Sequence, residues 1–139
     1  MSADPQVDAN LATVRRLVDR FVNAGDESAA DEIFADDCVN HRPLPDAPGD
    51  RDSIKRFVAD LRAAFPDMHY EIVHLFGDGD LVTLNLQGTA THRGTWRGIE
   101  PTGRRVHIAA LSVFTFRDGR IIARHNVTDI DGVLRQLTA

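Results

Sequence analysis

Apolar residues near the start of the chain recur at three- and four-residue steps: Val7, Leu11, Val14, Leu17, Val18, Phe21 and Val22. That period lays one apolar stripe along a helix. Gly25 is its expected stop, because glycine readily takes the left-handed conformation that ends helices. A short second helix carries Ile33 and Phe34 with Ser28 as its cap, after which the chain turns at Asp36 and Asp37. Residues 38–41 read as a short extended segment. Residues 42–50, RPLPDAPGD, hold three prolines and a glycine and form a loop. Ile54, Phe57, Val58, Leu61 and Phe65 mark a third amphipathic helix, closed by Pro66.

From Met68 the period shortens to two, which predicts strands at 68–76, 80–92, 105–117 and 120–128. Residues 77–79 turn between the first pair, and Asp118-Gly119 is a two-residue hairpin signal between the last. The Gly-rich stretch 93–104 is a long loop at a sheet end. Ile130, Val133, Leu134 and Leu137 give a short closing helix. Helices first and an antiparallel sheet afterwards, with no repeat or linker, predict a single α+β domain spanning residues 1–139.

The hairpin register carries this reading towards a site. With Asp118-Gly119 as the loop, Arg117 faces Arg120 and Ser112 faces His125. One face then holds Ile108, Ala110, Ser112, Phe114 and Phe116 with Ile121, Ala123, His125, Val127 and, past the strand end, Asp129. Being the more apolar, it is expected to meet the helices, with His125 and Asp129 pointing inward. A carboxylate entering an apolar interior has its pKa raised towards a range useful for acid-base work. From pattern alone the same Asp129, or Asp131, reads first as the cap of the closing helix, since an apolar-periodic run follows at once. A buried His125 bonded to Ser112 is an ordinary structural arrangement.

Composition narrows the classes. The chain has 16 Lys plus Arg against 21 Asp plus Glu, a formal charge of −5. With no basic stripe interleaved with aromatics, it is not expected to bind nucleic acid. The N-terminal residues lack the basic and apolar regions of a signal peptide, and no apolar run approaches the roughly 20 residues of a membrane span, so a cytoplasmic location is expected, with no membrane partner. Cys38 is the sole cysteine, which excludes an internal disulfide. Nothing in the sequence marks it as an activated nucleophile.

Six histidines, at 41, 69, 74, 92, 107 and 125, raise the question of metal or acid-base chemistry. His69 and His74 lie five apart on one strand and are expected on opposite faces, so no metal set is visible. His92 falls on the apolar face beside the 93–104 loop, at the expected pocket mouth. Trp96 in that loop is either a lid or a rim residue. His107 is expected at the surface or an interface.

NHRP with His41 and Pro43, RAAFPDM at 62–68, GTATHRGTWRGIEPTGRRV at 88–106 and FTFRDGRIIARHNVTDIDGVLRQL at 114–137 together resemble the SnoaL-like polyketide cyclase or ester cyclase family, within the NTF2-like superfamily. The resemblance covers residues 7–138. It implies a cone in which N-terminal helices pack on a curved antiparallel sheet around an apolar pocket, usually as a homodimer. It also implies intramolecular aldol chemistry on a small hydrophobic carbonyl compound, without metal or organic cofactor, using an aspartate near the end of the last strand. That role falls on Asp129, with His41, His125 and Asn40 as donors to the developing oxyanion and His92, Trp96, Ser112 and Phe114 at the substrate.

Departures from the family pattern bear on activity. Arg124, His125 and Asn126 stand where members commonly read H-W-D, and Asn40-His41 stands where D-H is frequent. Phe114 occupies a position where some cyclases carry a polar group. Two acids have thus become amides, which leaves three expectations: a cyclase or isomerase, a non-catalytic small-molecule-binding or dimerisation module, and an epoxide hydrolase-like enzyme with an Asp-Arg-Asp arrangement. Arg124 has no inward partner in the hairpin register, which ranks the last of these lowest.

Overall fold

The computed structural model describes residues 4–41 and 48–139; residues 42–47 of the expected Pro-rich loop lie outside that range. Helix α1, Pro5–Arg16, starts at an Asp4 cap and a proline in its first turn, and continues without a break as a π-helical segment, Leu17–Asn23. The wider π turn lets Leu17, Val18, Phe21 and Val22 face the same way. Asn23 pins the end of this segment to the sheet, giving its amide N–H to the Tyr70 carbonyl (2.9 Å) and accepting from the Tyr70 N–H (2.8 Å). Gly25, at φ +72°, makes the stop expected of it.

Helix α2, Glu27–Ile33, is capped by Asp26 and not by Ser28. The Asp26 carboxylate accepts from both the Ser28 N–H and its hydroxyl, so Ser28 serves the cap from inside the helix. The hydroxyl of Ser28, then Arg20, hold this carboxyl down at about 2. Strand β1, Phe34–Asn40, follows at once, and helix α3, Arg51–Ala64, opens on a reciprocal Asp50–Ser53 capping box.

Strands β2 (His69–Asp78), β3 (Leu81–Thr91), β4 (Arg105–Arg117) and β5 (Arg120–Thr128) form a meander, and α4 (Ile130–Thr138) closes the chain. The sheet order is β1-β5-β4-β3-β2. An all-antiparallel sheet was expected; β1 instead pairs with β5 in parallel, making the sheet mixed. The reason is topological: β1 and β5 are joined by nearly the whole fold, so the chain has room to return in the same direction. The sheet is curved and does not close. Its concave face meets α1, the π segment and α3 around one apolar core.

The Asp118-Gly119 turn has φ of 52° and 80°, the two positive values of a type I′ hairpin, and Arg117 pairs with Arg120 as its sequence predicts. One step later the register changes. Phe116 pairs with Ile121, but Thr115 pairs with Ala123, leaving Ile122 as the extra residue of a β-bulge. Ser112 therefore faces Asn126 and Val113 faces His125. A one-residue slip exchanges the two faces of a strand, so Arg124, Asn126 and Thr128 turn to the concave side while His125, Val127 and Asp129 turn away. A second bulge, between Ile72 and His74 in β2, likewise puts both His69 and His74 on the exposed side, correcting their expected opposition.

Candidate functional site

The concave side holds a narrow, mostly apolar cavity that opens to solvent. The π segment contributes Leu17, Val18, Phe21 and Val22; α3 contributes Phe57, Val58 and Leu61; β2, β3 and β4 contribute Tyr70, Leu84, Leu86 and Phe114. Burial pushes the Tyr70 hydroxyl well above its ordinary value, so it stays neutral. The polar lining gathers on one wall, made by β4 and the bulged β5: Ser112, Arg124, Asn126 and Thr128.

This wall is ordered by its own hydrogen bonds. The Ser112 hydroxyl donates to Asn126 Oδ1 (2.6 Å), and Asn126 Nδ2 donates to Thr128 Oγ1 (3.1 Å). The amide orientation leaves the second Nδ2 hydrogen and the Thr128 hydroxyl hydrogen as donors. Arg124 gives its Nε–H to Asn40 Oδ1 across the parallel β1–β5 pair, at a long 3.4 Å. Burial brings its guanidinium down to about 10, still protonated at neutral pH. None of the lining residues among those described is Asp, Glu or His. What the wall offers is therefore an array of donors and one enclosed positive charge.

Three expected site residues, Ser112, Phe114 and Asn40, lie at or beside this cavity. Ser112 and Phe114 line it, the latter 2% exposed. Asn40 is buried and reaches it through Arg124, and Cys38 is buried two residues before, on the same side of β1. Burial pushes the Cys38 thiol up to about 11, as befits packing and not nucleophilic attack.

The remaining expectations need correction. His125 is exposed on the convex side, stacked on His41 with ring centroids 4.4 Å apart and planes 6° off parallel. The two are neighbours because Asn40 pairs with Arg124 and His41 N–H bonds the Arg124 carbonyl. Asp129 is exposed, and its carboxylate accepts the Gly132 N–H at 2.9 Å as the cap of α4. The bulge removes both residues from the inward face that the simple register assigned them.

His92 is fully buried, yet it sits behind Phe65 and not at the mouth. Its backbone is clamped by Gly103 and Arg104, and its Nδ1 accepts from the Thr102 N–H (3.1 Å), so the neutral ring carries its proton on Nε2. The 93–104 loop folds back on this ring, which fixes it as an anchor. Trp96 packs edge-on against Phe65 at the tight 96–99 turn and lines a separate surface depression with Phe57, Asp60 and Ala63. It is a packing residue and no lid over the cavity. His107 is exposed, its backbone held by the Gln136 amide of α4. Among the described residues no group of three or more His, Cys, Asp or Glu converges as a metal site.

Arg124, Thr128 and Tyr70 are the lining groups that the sequence pattern missed. The available signal was position 126: a residue often acidic in the resembled family belongs at a site, and only a bulge brings it inward together with 124 and 128.

A family model of SnoaL-like polyketide cyclases matches residues 12–137. Among solved structures, IdmH of Streptomyces antibioticus, described as a candidate polyketide cyclase, is 32% identical with a TM-score of 0.83, covering 94% of this chain and 99% of its own. A candidate polyketide cyclase from Acidithiobacillus ferrooxidans is also 32% identical, with a TM-score of 0.78 and coverage of 99% and 98%. AclR of Streptomyces galilaeus, described as a candidate hydroxylase, is 25% identical with a TM-score of 0.85, covering 95% and 97%. No curated protein matches the sequence. No helix among the described residues is long and apolar enough to cross a membrane.

Proposed function

The chain belongs to the SnoaL-like polyketide cyclase family, and on that premise we propose that it is a cyclase- or isomerase-type enzyme working on a small carbonyl compound held in the cone, without a cofactor. The observation that carries this reading is the one-sided polar wall of an otherwise apolar cavity. A carbonyl oxygen placed against the remaining donors of Asn126 and Thr128, in the field of the Arg124 charge, has its developing enolate charge stabilised. The α-proton leaves to water, the enolate carbon attacks a second carbonyl of the same molecule, and the resulting alkoxide is reprotonated. No strong base stands on the wall among the described residues, so the substrates that fit are 1,3-dicarbonyl compounds, whose α-protons are already acidic.

Deuterium exchange at the α-carbon of ethyl benzoylacetate, followed by NMR, tests the reading without knowledge of the natural substrate. The wild type is expected to accelerate exchange by about 10²-fold over buffer, the scale of one well-placed oxyanion donor. Arg124→Gln is expected to lose most of this, and Asp129→Asn to keep it. Loss in Asp129→Asn would instead restore Asp129 to the base role, assisted by His41 and His125, that the family resemblance implies. A second reading, a binding module without turnover, is favoured by the lack of a carboxylate or imidazole among the described lining residues; binding of the ester with no exchange would establish it. Epoxide hydrolysis is not supported: Arg124 does face inward, but its neighbours Asn40 and Asn126 are amides where that chemistry needs carboxylates.

We also propose that the protein acts as a homodimer through the convex side of its sheet. Leu111 and Val127 pair across β4 and β5 there and are 51% and 53% exposed, beside Val39 at 45%. Such a strip costs free energy in water unless covered. Sedimentation is expected to show a dimer in the wild type and a monomer in Leu111→Glu; a monomeric wild type would overturn the proposal.

A further inference from the structure

We infer that the cavity recognises a carboxylate: its substrate is a carbonyl compound bearing a carboxylic acid, docked by that group on Arg124. The inference rests on the reading of the cone as a carbonyl-compound site and names the class of compound it takes.

Arg124 is the only ionised group on the cavity wall among the described residues, and its one hydrogen bond uses Nε. Among the described residues none supplies its counter-ion. Among the described acids, Asp37 pairs with Arg117 (3.2 Å), Asp31 with Lys55 (3.0 Å) and Arg51 (3.7 Å), and Asp50 caps α3. Asn40 and Asn126, the polar side chains flanking Arg124 on β1 and β5, are both neutral. An enclosed guanidinium without a carboxylate is costly to fold around, and what offsets that cost is an anion arriving with the ligand.

Geometry then selects among anions. With Nε turned to Asn40, the two Nη groups are left as a planar fork, which matches the two oxygens of a carboxylate. A phosphate would carry further charged oxygens into a lining of Phe21, Phe57, Leu61, Leu84 and Leu86, which cannot solvate them. The same lining suits an aromatic or alkyl body behind the carboxylate. Asn126 and Thr128, next along the wall, are placed for the ketone oxygen.

The test compares 4-oxo-4-phenylbutanoate with its methyl ester by isothermal titration, so that only the charge of one group changes. Wild type is expected to bind the acid at least about tenfold more tightly than the ester, as a charge-assisted bidentate pair should outweigh a neutral contact. Arg124→Gln is expected to bind both alike. Asn126→Asp, which keeps Arg124 but supplies an internal counter-charge two residues along the same face, is expected to lose the preference as well. Equal binding of acid and ester by the wild type overturns the carboxylate assignment while leaving the carbonyl-compound cavity standing. Retention of the preference in Arg124→Gln also overturns it, by placing the anion elsewhere. Failure of wild type to bind either compound removes the cavity reading and this inference together. The wild-type comparison needs no substitution, so a variant that folds poorly does not shield the proposal.

Discussion

Arg124→Met is expected to raise the stability of the ligand-free protein by about 1–3 kcal/mol, the scale seen when buried charges give way to apolar side chains of similar size. Methionine fills the same space beside Phe114 and Leu17 and removes a charge that the wall does not neutralise. The direction also follows from linkage. Burial holds the Arg124 guanidinium at about 10, below its ordinary value, so the folded protein binds that proton more weakly than the unfolded chain does. The cost is fully present at neutral pH and fades only as pH rises above about 10. The advantage of the variant should accordingly be flat from pH 6 to 8 and shrink in strong alkali. Urea denaturation at these pH values measures it, and a destabilised Arg124→Met would show that the Nε–Asn40 bond outweighs the desolvated charge.

Phe114→Ala is expected to cost about 3–5 kcal/mol, as for other large aromatic truncations in cores. The ring is 2% exposed, lies on β4 opposite Val82 and Arg124, and forms part of the wall that keeps the cavity narrow. Phe114→Leu should cost less, about 1.5 kcal/mol, because most of the volume remains. Chemical denaturation of the three proteins gives the series. A loss below about 1 kcal/mol for the alanine variant would mean that the cone collapses onto the gap and that Phe114 does not set the cavity's width.

Much of the fold was legible because its elements are written in local periods. The stripe from Val7 to Val22 needs only the helical repeat, and the Asp118-Gly119 turn needs only two residues tolerant of positive φ. The family resemblance, carried by short motifs spread from His41 to Leu137, supplied the cone. Ser112 and Phe114 were placed correctly on the concave face because β4 is regular over its whole length against β3. Asn40 was legible only as a departure from an acid, and the parallel pairing of β1 with β5 decides that it meets Arg124.

The two misplacements on β5 share one origin. His125 and Asp129 were read as inward because the hairpin register was extended unbroken from its turn, and Ile122 breaks it. Bulges answer to the curvature a sheet must adopt when it wraps a core, a property of the assembled sheet that no single strand encodes. His92 and Trp96 were drawn towards the pocket by their nearness in sequence to a loop, whereas the loop's own bonds to His92 turn them into its anchor.

By itself, then, the sequence determined the helices, the strands, the hairpin and the membership of a family, since each depends on the identity of residues close together along the chain. Tertiary structure alone decided which alternate residues of β5 face the cavity, because a single extra residue exchanges the two sides of a strand. That exchange put a positive charge, an amide and a hydroxyl where a carboxylate and an imidazole were expected, and with them it changed the groups the cone offers a ligand.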